Sequence, residues 1–177
     1  MPRITLPTRD SLPDELQSRW DRTAQRGPVL NIQRLFFAQP DIRLDALGVW
    51  AASGLDARRR ELVILRAAFR KDSTYEWHQH VRIARDAGLS TADINAVRDW
   101  RNSGAFSGDE RALLAYTDAL AEGQLSDATY AAMADGRSDA EAVGITFLIT
   151  LYFQLAAIMA TFQLETEAPF VGWEVPE

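Results

Sequence analysis

At 177 residues, 47% hydrophobic and 25% charged, the chain is long enough to bury one core without a disulfide or a structural metal. Its net charge of −6 argues against nonspecific nucleic-acid binding, which needs a surplus of Lys and Arg. No cysteine is present, which excludes disulfides, thiolate metal sites and any thiol redox cycle run by this chain alone.

The opening stretch, MPRITLPTRDSLPDEL, lacks the apolar core of a secretory signal, so the expected compartment is the cytoplasm. Pro13 opens a predicted helix over 14–25, stopped by Gly27 and Pro28. A short apolar run, LNIQRLFFA, leads to Pro40, and Pro40-Asp41 predicts a helix over 41–52 closed by Gly54. Asp56 caps a helix over 57–70, and a tight link at 71–74 leads into a helix over 75–87 ending on Gly88. Ser90 caps a helix to about 100, broken at Asn102-Ser103-Gly104. Ser107 with Glu110, and Ser138 with Glu141, are capping boxes for two further helices, and Ser126 caps a short one between them.

Residues 142–164 carry no charge and meet the length of a membrane span. Gln154, Gln163 and three threonines favour instead a buried helix at the centre of a bundle or at a subunit interface. No stretch alternates at period two long enough to argue a strand. The expected architecture is all-α, a single domain of seven to nine helices with a central apolar C-terminal helix. The tail EAPFVGWEVPE is expected to dock on a neighbour through Phe170 and Trp173.

The only histidines, His78 and His80, point about 200° apart on a helix, so no two-histidine metal pair is expected. His80 shares the apolar stripe of Trp77, Val81 and Ala84, whereas His78 lies with Arg82 and Arg85. Glu76, four residues before His80, stacks one turn away, where a carboxylate can fix the imidazole tautomer for acid/base work. A plain helix-surface pair has the same spacing. Glu61 falls on the apolar stripe of Ala57, Ile64, Leu65 and Ala68, where an acid is costly unless paired. It either faces His80 or sits at the rim, bridged to Arg58 or Arg66. The Arg58-Arg59-Arg60 run reads as a solvated face from which one member could attract an anion. Tyr75 and Trp77 read first as core aromatics, and Tyr116, Tyr152 and Phe153 as packing. Phosphate-loop, serine-elbow and zinc signatures are absent.

The segments "D..RRELVILR" and "YEW..HV.IA..AGLS", with "FS..ERALLAYTDAL" and "SDATYAAM" after them, resemble the carboxymuconolactone decarboxylase family, which includes the alkylhydroperoxidase D-like (AhpD-like) branch. The resemblance covers about 28–165. It implies an all-α fold and a homo-oligomer, commonly a dimer, trimer or hexamer. In the peroxidase branch the site is a glutamate, a C-x-x-C pair and a histidine, which fall on Glu61, on Ser73 and Glu76, and on His80. The relay pair is kept and both sulfurs are gone, so peroxide reduction by a thiolate is not expected.

The decarboxylase branch uses no cysteine, metal or organic cofactor, and its lactone substrate holds the released electrons in its own unsaturation. By that resemblance His80 is the acid/base, Glu76 its orienting partner and Glu61 a second relay. Ser73, Tyr75 and Trp77 complete the candidate set as substrate-binding residues. The leading expectation is a cofactor-free proton-transfer or decarboxylating enzyme for a small anionic organic substrate, with no nucleic-acid or membrane partner. The alternatives are an alkylhydroperoxidase-type antioxidant protein by family, and a non-catalytic oligomeric binding protein.

Overall fold

The structure is a computed structural model that describes residues 3–42 and 45–176. Among these residues it contains nine α-helices, two short 3-10 segments and no strand. The helices are α1 (Asp14–Ala24), α2 (Asn31–Phe37), α3 (Ala46–Ala52), α4 (Ala57–Arg70), α5 (Thr74–Asp86), α6 (Thr91–Ala96), α7 (Gly108–Glu122), α8 (Asp127–Ala134) and α9 (Asp139–Phe162).

The sequence carries no linker, yet the chain forms two compact units. The first holds the N-terminal residues through α2, together with 159–169. There Arg34 donates to the carbonyls of Leu6 and Pro7, and Arg3 donates to those of Thr161 and Phe162. The second unit, 45–158 with 170–177, contains every residue of the candidate site.

Side-chain caps set most helix starts. Asp56 accepts from the Arg59 amide, Ser90 from Asp93, Ser107 from Glu110 and Ser126 from Thr129, each satisfying an amide the helix leaves unpaired. Ser138 and Glu141 form the reciprocal box at the start of α9. The helix predicted from Asp41 starts instead at Ala46. Asp41 lies in a turn, residues 43–44 fall outside the described residues, and Asp45 is the cap, accepting from the Gly48 amide at 2.9 Å. Two aspartates compete for that role, and the one nearer the apolar run AlaLeuGlyValTrp takes it.

The helix predicted from Ser90 to about Trp100 also changes. It stops at Ala96 and continues as a 3-10 segment, Val97–Asn102, with Asp99 outside helical geometry. Arg66 supplies the cause: its guanidinium takes the Val97 and Arg98 carbonyls at 2.9 and 2.8 Å, acceptors that a continuing α-helix would need for itself. The rest of that guanidinium grips Asp118, which is 1% exposed, at 2.6 and 2.9 Å. Trp100 Nε1 donates to the same carboxylate, and Arg101 pairs with it. This buried knot ties α4, α7 and the 3-10 segment together.

The core beside it is built from Leu62, Leu65, Trp77, Val81, Ile94 and Leu114. The tail closes it from within the same chain. Trp173 packs on Trp77 and Phe69, Phe170 stacks against Trp173, and Trp77 Nε1 donates to the Gly172 carbonyl. Phe170 and Trp173 dock on their own chain's α4–α5 pair, because indole and phenyl rings find a ready-made aromatic surface there.

At α3, Gly144 decides how closely α9 can approach. A Cβ on it would stand 2.0 Å from the Ala52 carbonyl oxygen, so only glycine allows this crossing. The helix α9 is long and apolar enough to cross a membrane, and slightly over half of its most apolar window is buried in the chain, the pattern of a core helix.

The Asp118 knot gives a stability test. Asp118→Ala leaves the buried Arg66 unpaired and should cost about 3–5 kcal/mol in urea unfolding at neutral pH. A loss within about 0.5 kcal/mol, the range of an ordinary surface change, would mean the knot is not what holds α4 to α7.

Candidate active site

The helices α4 and α5 form an antiparallel hairpin joined by a turn so short that Asp72 adopts a positive φ of 51°, a conformation aspartate tolerates better than most residues. The turn is locked by the Lys71, Asp72 and Ser73 amides, which donate back to Ala67, Phe69 and Ala68. With the hairpin fixed, the apolar stripes of the two helices face each other, and one polar residue from each stripe meets inside. These are Glu61, 0% exposed, and His80, 7% exposed.

His80 Nδ1 lies 2.7 Å from Glu61 Oε2. The other Glu61 oxygen accepts from Arg60 Nε at 3.0 Å, and the Arg60 guanidinium lies over the Trp50 ring, 4.4 Å from its centroid. Trp50 Nε1 donates to the Tyr152 hydroxyl at 3.1 Å, and the Tyr152 ring packs edge-on against His80 with 5.1 Å between centroids. The contacts close a circuit of Glu61, His80, Tyr152, Trp50 and Arg60. It has a simple electrostatic logic, since the buried carboxylate is answered by an imidazole on one side and a guanidinium on the other. A carboxylate held by Arg60 accepts from Nδ1–H, which leaves Nε2 of His80 as the basic nitrogen.

Glu76 stands apart from this circuit. It is 3% exposed, and neither carboxyl oxygen has a hydrogen-bond partner. Burial pushes its carboxyl up to about 8, and the Ser73 hydroxyl opposes the shift without forming a well-aligned hydrogen bond. Glu76 is therefore a neutral acid at pH 7. The expected pairing of Glu76 with His80 is not formed: the imidazole has turned across to α4, where Glu61 offers a carboxylate already ionically held. Tyr152 also stays protonated, its phenol pushed up first by burial and further by the Glu61 carboxylate, against the Trp50 hydrogen bond.

The remaining predicted residues divide. Ser73 is buried beside Glu76 at the start of α5, and Tyr75 is buried one residue before it. Trp77 is 0% exposed and committed to Phe69, Trp173 and the Gly172 carbonyl, so it belongs to the core. His78 is half-buried at the tail, accepting from the Val171 amide through Nδ1. Arg58 pairs with Asp93 and Glu110, and Arg59 with Asp56 and Asp109. Arg66 is on the Asp118 knot, so neither of the bridges considered for Glu61 forms.

Sequence reasoning missed Trp50 and the site position of Tyr152. Trp50, an amphipathic aromatic among aliphatic neighbours, carries the one local signal; Tyr152 beside Phe153 carries none. Among the described residues no group of three His, Asp or Glu is arranged to hold a metal ion. A cleft of about 520 Å³ in the first unit, lined by Trp20, Val29 and Arg34 among others, contains no carboxylate or histidine.

The carboxymuconolactone decarboxylase family model matches residues 40–119, the stretch that carries Glu61, Glu76 and His80. No functionally curated sequence matches the chain. Among solved structures, a protein of unknown function from Agrobacterium tumefaciens, named for the antioxidant-defence protein AhpD, is 28% identical with a TM-score of 0.64, covering 70% of this chain and 88% of that one. The alkylhydroperoxidase AhpD core protein from Ralstonia eutropha JMP134, called peroxidase-related, is 20% identical over 99% of this chain and 98% of its own, with a TM-score of 0.77. The debrominase Bmp8, as a cysteine-to-alanine variant in complex with 2,3,4-tribromopyrrole, is 17% identical over 95% of both chains, also at 0.77. The fold is AhpD-like, and this member of it has no cysteine.

Glu76 has a pH signature in unfolding. Its folded pKa lies above its unfolded value, so the stability tied to its proton is complete below about 4.5 and is lost as pH rises toward about 8. Against wild type, Glu76→Gln should become relatively more stable across that window, and a difference that stays flat with pH would contradict the buried neutral acid.

Proposed function

We propose that the chain is a cofactor-free acid/base enzyme that moves a proton on a small, unsaturated, anionic organic molecule, with decarboxylation as the reaction it suits best. The observation that carries the reading is the presence, one helical turn apart, of a histidine held by a buried carboxylate and a second carboxyl kept neutral by burial. A buried carboxyl that keeps its proton, set beside an imidazole oriented by a second carboxylate, is the pairing that joint acid and base catalysis requires.

The step balances without an oxidant. The substrate carboxylate leaves as CO₂, its bonding electrons pass into the substrate's own conjugated system, and Glu76 delivers its proton to the carbon. The Glu76 carboxylate then recovers a proton from water by way of His80 Nε2. Net, one carboxylate and one proton become CO₂ and a C–H bond. Glu61 holds His80 through Nδ1 and so orients its ring. Arg60, which among the described residues forms no ion pair other than that with Glu61, is the cation best placed to meet an anionic substrate. That a relative of the same fold holds a small unsaturated ring, tribromopyrrole, supports a substrate of that size.

Thiol peroxidase activity is not part of the proposal. Reducing a peroxide O–O bond takes two electrons, which that chemistry draws from a thiolate and a resolving thiol. At the positions where the resemblance puts the sulfurs, this chain has Ser73 and Glu76.

The test is CO₂ release from a panel of unsaturated lactone and ring acids. His80→Ala and Glu76→Gln should each lower turnover by about 10²–10⁴-fold, the range of a lost general acid or base, while His78→Ala retains most of it. Peroxide consumption with a dithiol reductant should be nil. Equal losses at His78 and His80, or a clear peroxidase rate, would overturn the proposal.

A further inference from the structure

Glu61, Glu76, His80 and Tyr152 are all buried, yet a substrate has to touch His80. Two rings lie edge-on against that imidazole. Tyr152 is one of them, and Trp50 is the other, 6.2 Å away between centroids with 68° between the planes. Only Trp50 is half-buried, so it is the ring that faces both His80 and solvent. An indole committed to the core looks different in this chain. Trp77 is fully buried and packed among Phe69 and Trp173.

The helix α3 that carries Trp50 is seven residues long and buries none of them. Its C-terminal end is pinned. The buried Ser53 hydroxyl donates to the Trp50 carbonyl at 2.7 Å, and the Ala52 carbonyl lies close against Gly144. The backbone at Trp50 is therefore fixed, while its side chain is held by the Nε1 donation to Tyr152 at 3.1 Å and by the Arg60 guanidinium 4.4 Å from the ring centroid. Water or a bound anion replaces both contacts in large part, so the indole can leave without opening the core.

We propose that Trp50 is the gate of the site: its indole covers His80 when the site is empty and rotates outward to admit the substrate. The proposal rests on the reading of His80 as the group the substrate must reach. Turning the indole out uncovers the Arg60 guanidinium, the Tyr152 hydroxyl and the His80 edge around the space of one flat bicyclic ring. That space sets the size limit. A flat anion no larger than indole takes the ring's place, and a bulkier one is turned away until Trp50 is made smaller.

The experiment is labelling of the folded full chain with diethyl pyrocarbonate, read at each histidine by mass spectrometry, with Nα-acetylhistidine as the open reference. Labelling reads access to the imidazole and not turnover, so its failure is distinguishable from failure of the proposed reaction. Wild-type His80 should label at least about tenfold more slowly than the reference, at a rate that stays flat in urea too dilute to unfold the chain, as a local opening requires. Trp50→Phe and Tyr152→Phe each break the hydrogen bond between Nε1 and the phenol. Each should raise the His80 rate about fivefold, and the double variant should raise it no further. His80 labelled as fast as the reference would mean that nothing gates it. A rate that climbs with urea in step with global unfolding would mean that the whole fold covers His80. Single variants without effect, or effects that multiply in the double variant, would mean that this hydrogen bond does not hold the gate. Any of these results overturns the proposal, and the wild-type measurement decides it even if a variant fails to fold.

Discussion

Glu61 is fully buried on a helix face otherwise built from Ile64, Leu65 and Ala68. An ionised carboxylate in such a place is several kcal/mol out of balance unless its neighbours answer the charge. The second unit is organised around that answer. The tight α4–α5 turn brings His80 across, the preceding residue Arg60 curls back, and α3 and α9 supply the Trp50 and Tyr152 rings that wall off the pair from water. Each element has packing reasons of its own, but the site exists because their polar exceptions converge on one carboxylate.

The second carboxyl obeys the same rule by the other route. Among the described residues Glu76 has no ion pair and no well-aligned hydrogen bond, and the Ser73 hydroxyl only weakly opposes its burial, so it keeps its proton. One carboxyl is answered by partners and the other, lacking them, keeps its proton; the two stand on the paired helices α4 and α5. The Asp118 knot shows what the fold does with a buried acid intended only for structure: Arg66, Arg101 and Trp100 all converge on it. Glu76 lacks that treatment, and the contrast is the strongest physical reason to read it as chemistry.

Much of this was legible from residue order. Asp56, Ser90, Ser107, Ser126 and Ser138 announce their helices because a cap is a local hydrogen bond, and Glu61 and His80 announce themselves as polar residues on apolar stripes. Four things were not legible. Which of its two candidate carboxylates His80 takes was not, because i,i+4 spacing gives Glu76 nearness without orientation, and the ring turns to Glu61 on α4. Trp50 and Tyr152 meet across 102 residues, and no local pattern encodes such a contact. The end of α6 is set by Arg66 from α4 taking its carbonyls, again a tertiary effect. The evenly apolar sequence of α9 likewise hides which of its sides the chain leaves uncovered.

The central claim is that a neutral carboxylic acid sits beside an imidazole–carboxylate pair at physiological pH. It is tested most directly by ¹³C NMR of the chain labelled at glutamate side-chain carboxyls, with Glu76→Gln identifying the resonance. This signal should titrate with a midpoint near 8, far above the ordinary glutamate value of 4.5. A midpoint near 4.5 would contradict it, leaving a charged Glu76 and no acid in the site.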